Sequence, residues 1–277
     1  MHDERPVHIL AATADASPLA AAREVWNHRH LAWLFIMRDL RLRYKQTALG
    51  VIWAVLQPLA TALIFAVIFG LWVGIPTGGI PYFPLALTGI MAWMFFSGAI
   101  QHATHSLLAN TTLITKTYFP RATLPLASVG LHLVDLLITA VLLACALALY
   151  GIAVTPHVVA LLPAMLALCC LATGLSLIVA SLSVYYRDFP NLIPIGLQLL
   201  MYASPVFYPS SLIPPTYVAW VRLNPLVGII DLMRWSLFAT ADFPSHFLYV
   251  SCPAAVILLF GGWWVFHRLE REFSDQI

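Results

Sequence analysis

Residues 110–126, NTTLITKTYFPRATLPL, set a short basic segment ending in Phe119-Pro120-Arg121 between two long apolar stretches. Upstream, residues 83–105 contain no Asp, Glu, Lys or Arg, and downstream, residues 124–150 contain only Asp135. Each stretch reaches the roughly 20 residues that an α-helix needs to cross a bilayer. The segment between them is too polar to stay in lipid, so it joins two membrane spans on one side. Composition agrees with an all-α integral membrane fold. Of 277 residues, 61% are hydrophobic and 9% charged, and mean hydropathy is +0.87, too apolar for a water-soluble surface. A formal net charge of +2 gives no nucleic-acid footprint.

Working outward at this span length predicts six transmembrane helices: Gly50–Val73, Phe83–His105, Leu124–Tyr150, His157–Ser183, Asn191–Tyr208 and Phe247–His267. The fifth is kinked by Pro194 and Pro205. An even number puts both termini on one side. Every Lys and Arg except Arg222 and Arg234 then falls on that side, which the positive-inside rule assigns to the cytoplasm. Residues 1–30 carry Asp3, Glu4, Asp15 and Glu24 with no apolar signal core, so they read as a retained cytoplasmic arm. The domain reading is an arm at 1–32, a transmembrane domain at 33–268 and a cytoplasmic tail at 269–277.

Two further segments have helical patterns without spanning length. Trp26–Tyr44 interleaves apolar residues with Arg38, Arg41 and Arg43, as an amphipathic helix in the cytoplasmic interface does; a solvated lead-in to the first span is the alternative. Residues 209–246 fit two short helices broken at Asn224-Pro225 and dipping into the outer leaflet, either capping an exit path or packing as an outer loop.

Chemistry is sparse. The two lysines, Lys45 and Lys116, follow no glycine, so a GxxxxGK[ST] phosphate loop is excluded. HExxH, GxSxG and a close pair of acids within the spans are also missing from the sequence. Cys145, Cys169, Cys170 and Cys252 sit in apolar runs without a CxxC pair and read as packing residues. His102 with His105, and His132 with Asp135, are spaced i,i+3, and helix contacts explain them better than a metal. Asp135 lies inside the third span, where an uncompensated carboxylate costs about 2.5–3.5 kcal/mol; it faces protein or water, as a contact between spans or as part of a transport path. Trp53, Trp93, Phe95, Phe96, Tyr202, Phe207 and Tyr208 are either interfacial aromatics or rings on which sugars slide through a channel.

The order of motifs resembles the permease subunits of ABC-2 type transporters, in particular exporters of lipid-linked polysaccharides such as O-antigen, capsule or teichoic acid. The matching pieces are RDLRLRYKQTALGVIWAVLQPL at 38–59, LTGIMAWMFFSGAI at 87–100, the 110–126 segment, SVYYRDFPNLIPIGLQLLMYASPVFYP at 183–209 and LNPLVGIIDLMRW at 223–235. The resemblance implies a homodimer joined to two copies of an ABC ATPase subunit, with ATP and Mg bound there and no cofactor in this chain. It makes Asn110–Arg121 a cytoplasmic coupling helix. Lys116 and Arg121 orient it, Leu113, Ile114, Tyr118 and Phe119 supply apolar contact to the ATPase, and Asn110 and Pro120 bound it. It gives Arg38, Arg41 and Arg43 either the pyrophosphate of a polyprenyl carrier or anionic membrane lipid, and makes Ser204, Pro205, Asn224 and Pro225 an outer gate. The implied function is ATP-driven export of a lipid-linked polysaccharide across the bacterial inner membrane. Export of a drug or small lipid is the alternative, and an envelope-assembly enzyme is the weakest reading.

Overall fold

The computed structural model describes residues 18–45, 52–153, 155–239 and 242–273, and within them all regular structure is helical. Residues 1–17 of the expected arm, Gly50 at the expected start of the first span and the tail from Ser274 lie outside the described residues.

Two helices precede the membrane domain, α1 (Pro18–Asn27) and α2 (Arg29–Tyr44). Then come α3 (Ile52–Phe65), continued by a π-helical stretch at Ala66–Trp72, and α4 (Tyr82–Ser106). A one-turn helix at Leu108–Asn110 and α5 (Thr111–Lys116) lead to α6 (Thr123–Leu149). After α7 (Leu161–Tyr185) come α8 (Phe189–Tyr202), α9 (Pro215–Arg222), α10 (Pro225–Phe238) and α11 (Cys252–Leu269).

Five of these segments are long and apolar enough to cross a membrane: Ile52–Trp72, Tyr82–Ser106, Thr123–Leu149, Pro156–Tyr185 and Phe247–Glu272. The expected fifth span, Asn191–Tyr208, is not such a helix. Its α8 has 14 residues, about 21 Å at 1.5 Å per residue, short of a ~30 Å hydrocarbon core. The helix stops because Pro205 has no amide to donate and the Ser204 hydroxyl turns back onto the Leu200 carbonyl at 2.7 Å. An irregular turn succeeds the helix, with Ser204 and Val206 fully buried in it. Non-helical backbone is tolerated at membrane depth when protein shelters it in this way.

The expected break at Asn224-Pro225 is present. Asn224 caps α10 by accepting the Leu226 amide at 3.0 Å, and Pro225 occupies the first turn, where its missing donor costs nothing.

Helix α4 is central. Small residues at Ala86, Ala92, Ala99 and Ala103 are each fully buried and let α6, α7 and α3 pack around it. Its hydroxyls are satisfied within the helix, Thr88 on Pro84 and Thr104 on Ile100, both at 2.8 Å. Helices α7 and α11 touch through backbone: a Cβ on Gly262 would lie 2.2 Å from the Gly174 carbonyl oxygen.

The ends of the bundle differ. At the proximal end, Trp263 Nε1 donates to the Pro18 carbonyl at 2.9 Å, so α1 and the close of α11 lie together. At the distal end, the Tyr82 hydroxyl donates to the Phe207 carbonyl, and His157 meets Trp235 edge-on at 4.5 Å.

Candidate functional site

Three groups of residues stand out. The first is the proximal segment that leads from α4 to α6. Arg121 binds the residue just after α11 twice, its amide donating to Glu270 Oε1 at 3.1 Å and its guanidinium to the Glu270 carbonyl at 2.5 Å. The Tyr118 hydroxyl donates to Glu24 of α1 at 3.0 Å. Ile114 and Phe119 are buried in an apolar cluster with Leu107, Val184, Phe266 and Phe273. These placements divide the expected roles differently. Ile114 and Phe119 face their own chain and are taken up by its core, as is Pro120, whereas Lys116 and Tyr118 are exposed and Leu113 is half-buried. Sequence alone could not separate them, because the apolar surface around Phe119 is assembled from distant parts of the chain, from Phe35 of α2, whose ring lies 5.9 Å away, to cluster members as remote as Phe266 and Phe273.

The second group lines an open cleft of about 750 Å³ between α2, α3, α4, α6 and α8. Arg43 of α2 donates to Asp135 Oδ2 of α6 at 2.6 Å, giving the intramembrane carboxylate the basic partner that sequence reading did not find. His132 Nδ1 lies 3.4 Å from the same oxygen, too poorly directed for a hydrogen bond. The His132 ring stacks on His102 with centroids 5.8 Å apart. Gly98 makes room for it, since a Cβ there would fall 2.4 Å from His132 Cδ2. Among the described residues, no group of three His, Cys, Asp or Glu side chains is arranged to hold a metal. Arg38 donates to Asp39 and to Asn110, each at 2.8 Å, while Arg41 is exposed. The three arginines of α2 therefore have three different surroundings. Arg38 lines a smaller cavity of about 300 Å³ that shares Asp39, Leu42, His102 and His105 with the larger one.

The third group is distal. Asn224 Nδ2 donates to Ser204 Oγ at 2.7 Å, so the two motifs expected to form an outer gate are in direct contact. Arg234, buried in α10, donates to the carbonyls of Val206 at 2.9 Å and Tyr208 at 2.8 Å. Burial pushes the Arg234 guanidinium down to about 10, and Asp231, Tyr82 and Tyr208 oppose that shift, so it stays charged at neutral pH. Asp231 in turn accepts from Ser210 at 2.5 Å and lies 3.2 Å from His246. Sequence reading gave Arg234 no role. Its i,i+3 spacing from Asp231 inside an apolar helix was the available signal.

The aromatic residues expected to line a channel separate by burial. Trp93, Phe95, Phe96 and Phe207 are core residues, because α4 is central and Phe207 stacks on Phe65 at 3.7 Å. They have no surface to offer a passing sugar. Trp53 and Tyr202 are exposed and Tyr208 is half-buried.

The family model for ABC-2 type transporters matches residues 30–238, a range that holds all three groups except their α1 and α11 partners and His246. The chain belongs to the ABC-2 type transporter family. This ABC-2 chain is 29% identical over 239 residues to the O-antigen export system permease protein RfbA of Klebsiella pneumoniae, covering 86% of this chain and 91% of that protein. It is 27% identical over 259 residues to the RfbA of Myxococcus xanthus, covering 92% and 98%. With the polysialic acid transport protein KpsM of Escherichia coli it shares 26% identity over 201 residues, covering 72% and 77%.

Proposed function

We propose that this chain is the permease subunit of an ATP-driven exporter that moves a polyprenyl-pyrophosphate-linked, O-antigen-like polysaccharide across the bacterial inner membrane. The observation that carries the reading is the near full-length similarity to permeases named for O-antigen export, joined by a shorter match to a polysialic acid transport protein. Two copies form the channel at their interface, and two copies of a separate ABC ATPase subunit bind ATP and Mg. Both termini and the 110–121 segment lie in the cytoplasm, where Lys116 and Tyr118 meet the ATPase. Arg38, Arg41 and Arg43 receive the pyrophosphate of the carrier, and the Ser204–Asn224 contact belongs to the outer gate.

Polar residues on the spans support a wet path through this chain. Gln57 on α3 and Gln101 on α4 are exposed, and an amide facing hydrocarbon has no hydrogen-bond partner. Both open onto the 750 Å³ cavity, so the α3–α4–α8 side is the side that meets water or substrate. Trp53 and Tyr202 are the channel aromatics on this reading.

Co-purification tests it. The tagged chain, expressed with a candidate ATPase, should bring that subunit out of membranes, and the lipid-linked glycan should raise its ATP hydrolysis. A chain that purifies alone, in cells whose glycan still reaches the surface after its deletion, refutes the proposal.

A further inference from the structure

Helix α5 begins without the cap that its sequence provides. Asn110 stands at the N-cap position, where asparagine is among the best residues because its side-chain oxygen accepts an amide of the first turn. In α5 that bond is not made, and the Asn110 backbone, at φ −119° and ψ 27°, lies outside the extended region that capping uses. Asn224 at the start of α10 gives the contrast. Its backbone is extended, at φ −75° and ψ 117°, and its side chain accepts the Leu226 amide.

Arg38 of α2 holds Asn110 instead. Its Nη1 donates to Asn110 Oδ1 at 2.8 Å, engaging the atom that would cap α5. Asn110 Nδ2 donates to the Ser106 carbonyl of α4, also at 2.8 Å, so one amide ties the end of α4 to α2. Capping α5 requires ψ of Asn110 to turn toward the extended region, and that rotation swings α5 against the end of α4.

The two partners of Arg38 differ in charge. Nε is matched by the Asp39 carboxylate at 2.8 Å, whereas Nη1 is held by the neutral amide of Asn110. A phosphate oxygen brings full negative charge and suits the guanidinium fork, so it displaces Asn110 and leaves Asp39 in place. The way in is open. The Arg38 side chain is 40% exposed and lines, together with Asn110, the cavity of about 300 Å³. Arg41, one turn along α2, is exposed and adds positive charge to the approach.

We infer that the Arg38–Asn110 hydrogen bond is a switch through which a lipid-borne phosphate reports its arrival to the 110–121 segment. Phosphate on Arg38 releases Asn110 Oδ1, which turns to cap α5 and resets that helix for the ATPase. The inference rests on the proposed export function, in which the phosphate is the carrier's diphosphate and the glycan-loaded carrier raises ATP hydrolysis. Asn110 is a positioning residue, acting on the ATPase through α5.

ATP hydrolysis by the complete permease–ATPase complex tests this, in phosphatidylcholine vesicles with and without the lipid-linked glycan. Arg38→Met frees Asn110, so its hydrolysis without glycan should exceed that of wild type by about five-fold, the population shift that one cap supports, with no further rise on adding glycan. A defect in binding alone would give the low wild-type rate and no response. Adding Asn110→Ala, which cannot cap, should return the Arg38→Met rate to the low level. Asn110→Ser keeps a capping oxygen on a shorter side chain that does not reach Arg38. It should match the high rate of Arg38→Met and covers the case of a misfolded Arg38→Met. Low glycan-free rates in both Arg38→Met and Asn110→Ser overturn the inference, as does a double variant as fast as Arg38→Met. Wild type stimulated by phosphatidylglycerol without the carrier would make membrane headgroups the source of the phosphate and overturn the assignment to the carrier. Failure of the export reading shows separately, as glycan reaching the surface in cells lacking this chain.

Discussion

Arg234 is the most consequential single side chain outside the cavity. It is 5% exposed and its two short hydrogen bonds end on the carbonyls of Val206 and Tyr208, in the turn that Pro205 prevents from being helix. The turn has no ladder of its own, so the guanidinium satisfies acceptors that would otherwise be buried and unpaired. Arg234→Met should leave both carbonyls orphaned, at about 1–3 kcal/mol each, and lower the melting temperature of the detergent-solubilised protein by tryptophan fluorescence. Arg234→Lys should lose less, since one ammonium reaches one carbonyl but not the pair. Equal melting for wild type and Arg234→Met would show that the turn does not depend on this residue. The same scale explains why Asp135 was visible in the sequence and its partner was not. A lone carboxylate inside an apolar run marks itself, whereas Arg43 lies 92 positions away and looks like any basic residue of an interfacial helix.

Among elements, helix length and helix punctuation were the readable features of the sequence. Long apolar runs ended at Tyr82, Ser106, Thr123 and Leu149 close to where they were expected, because lipid leaves the backbone no partner but itself. Asn224-Pro225 was readable as a break because capping and proline chemistry are local. The fifth span was not, since its apolar composition continues to Tyr208 while its helix ends at Tyr202. Burial of the turn after Tyr202 depends on Arg234 and on α4, which no local pattern records. Helix pairing was equally hidden. The contact of α7 with α11 rests on Gly174 and Gly262, where no Cβ fits. Gly262→Leu should force the two helices apart at an overpacking cost of about 1–3 kcal/mol. Gly261→Ala, with nothing within 4 Å of its Cβ, should melt like wild type. Equal loss from both would attribute the effect to helix propensity or expression rather than to the contact.

At the scale of the whole molecule, the proximal end joins parts of the chain that are far apart in sequence. Glu24 of α1, the 118–121 segment, Tyr185 at the end of α7 and Glu270–Glu272 after α11 are linked by hydrogen bonds. Under the proposed function, force from ATP hydrolysis arrives at this end and has to reach the spans. The linked segment offers a route, since Ile114 and Phe119 belong to the same buried apolar cluster as Phe266 and Phe273 of the α11 end. This distinguishes two kinds of variant. Phe119→Ala removes a core side chain, at about 3–5 kcal/mol, and so tests folding before it tests docking. Lys116→Glu changes an exposed group, should alter stability by only about 0.5 kcal/mol, and should weaken co-purification of the ATPase. Glu270→Ala removes the acceptor of the Arg121 amide while leaving the exposed face intact. The ATPase should still co-purify with Glu270→Ala, and less glycan should be exported per ATP hydrolysed. Loss of co-purification would assign Glu270 to the docking surface, and wild-type coupling would show that force reaches the spans without the α11 tether.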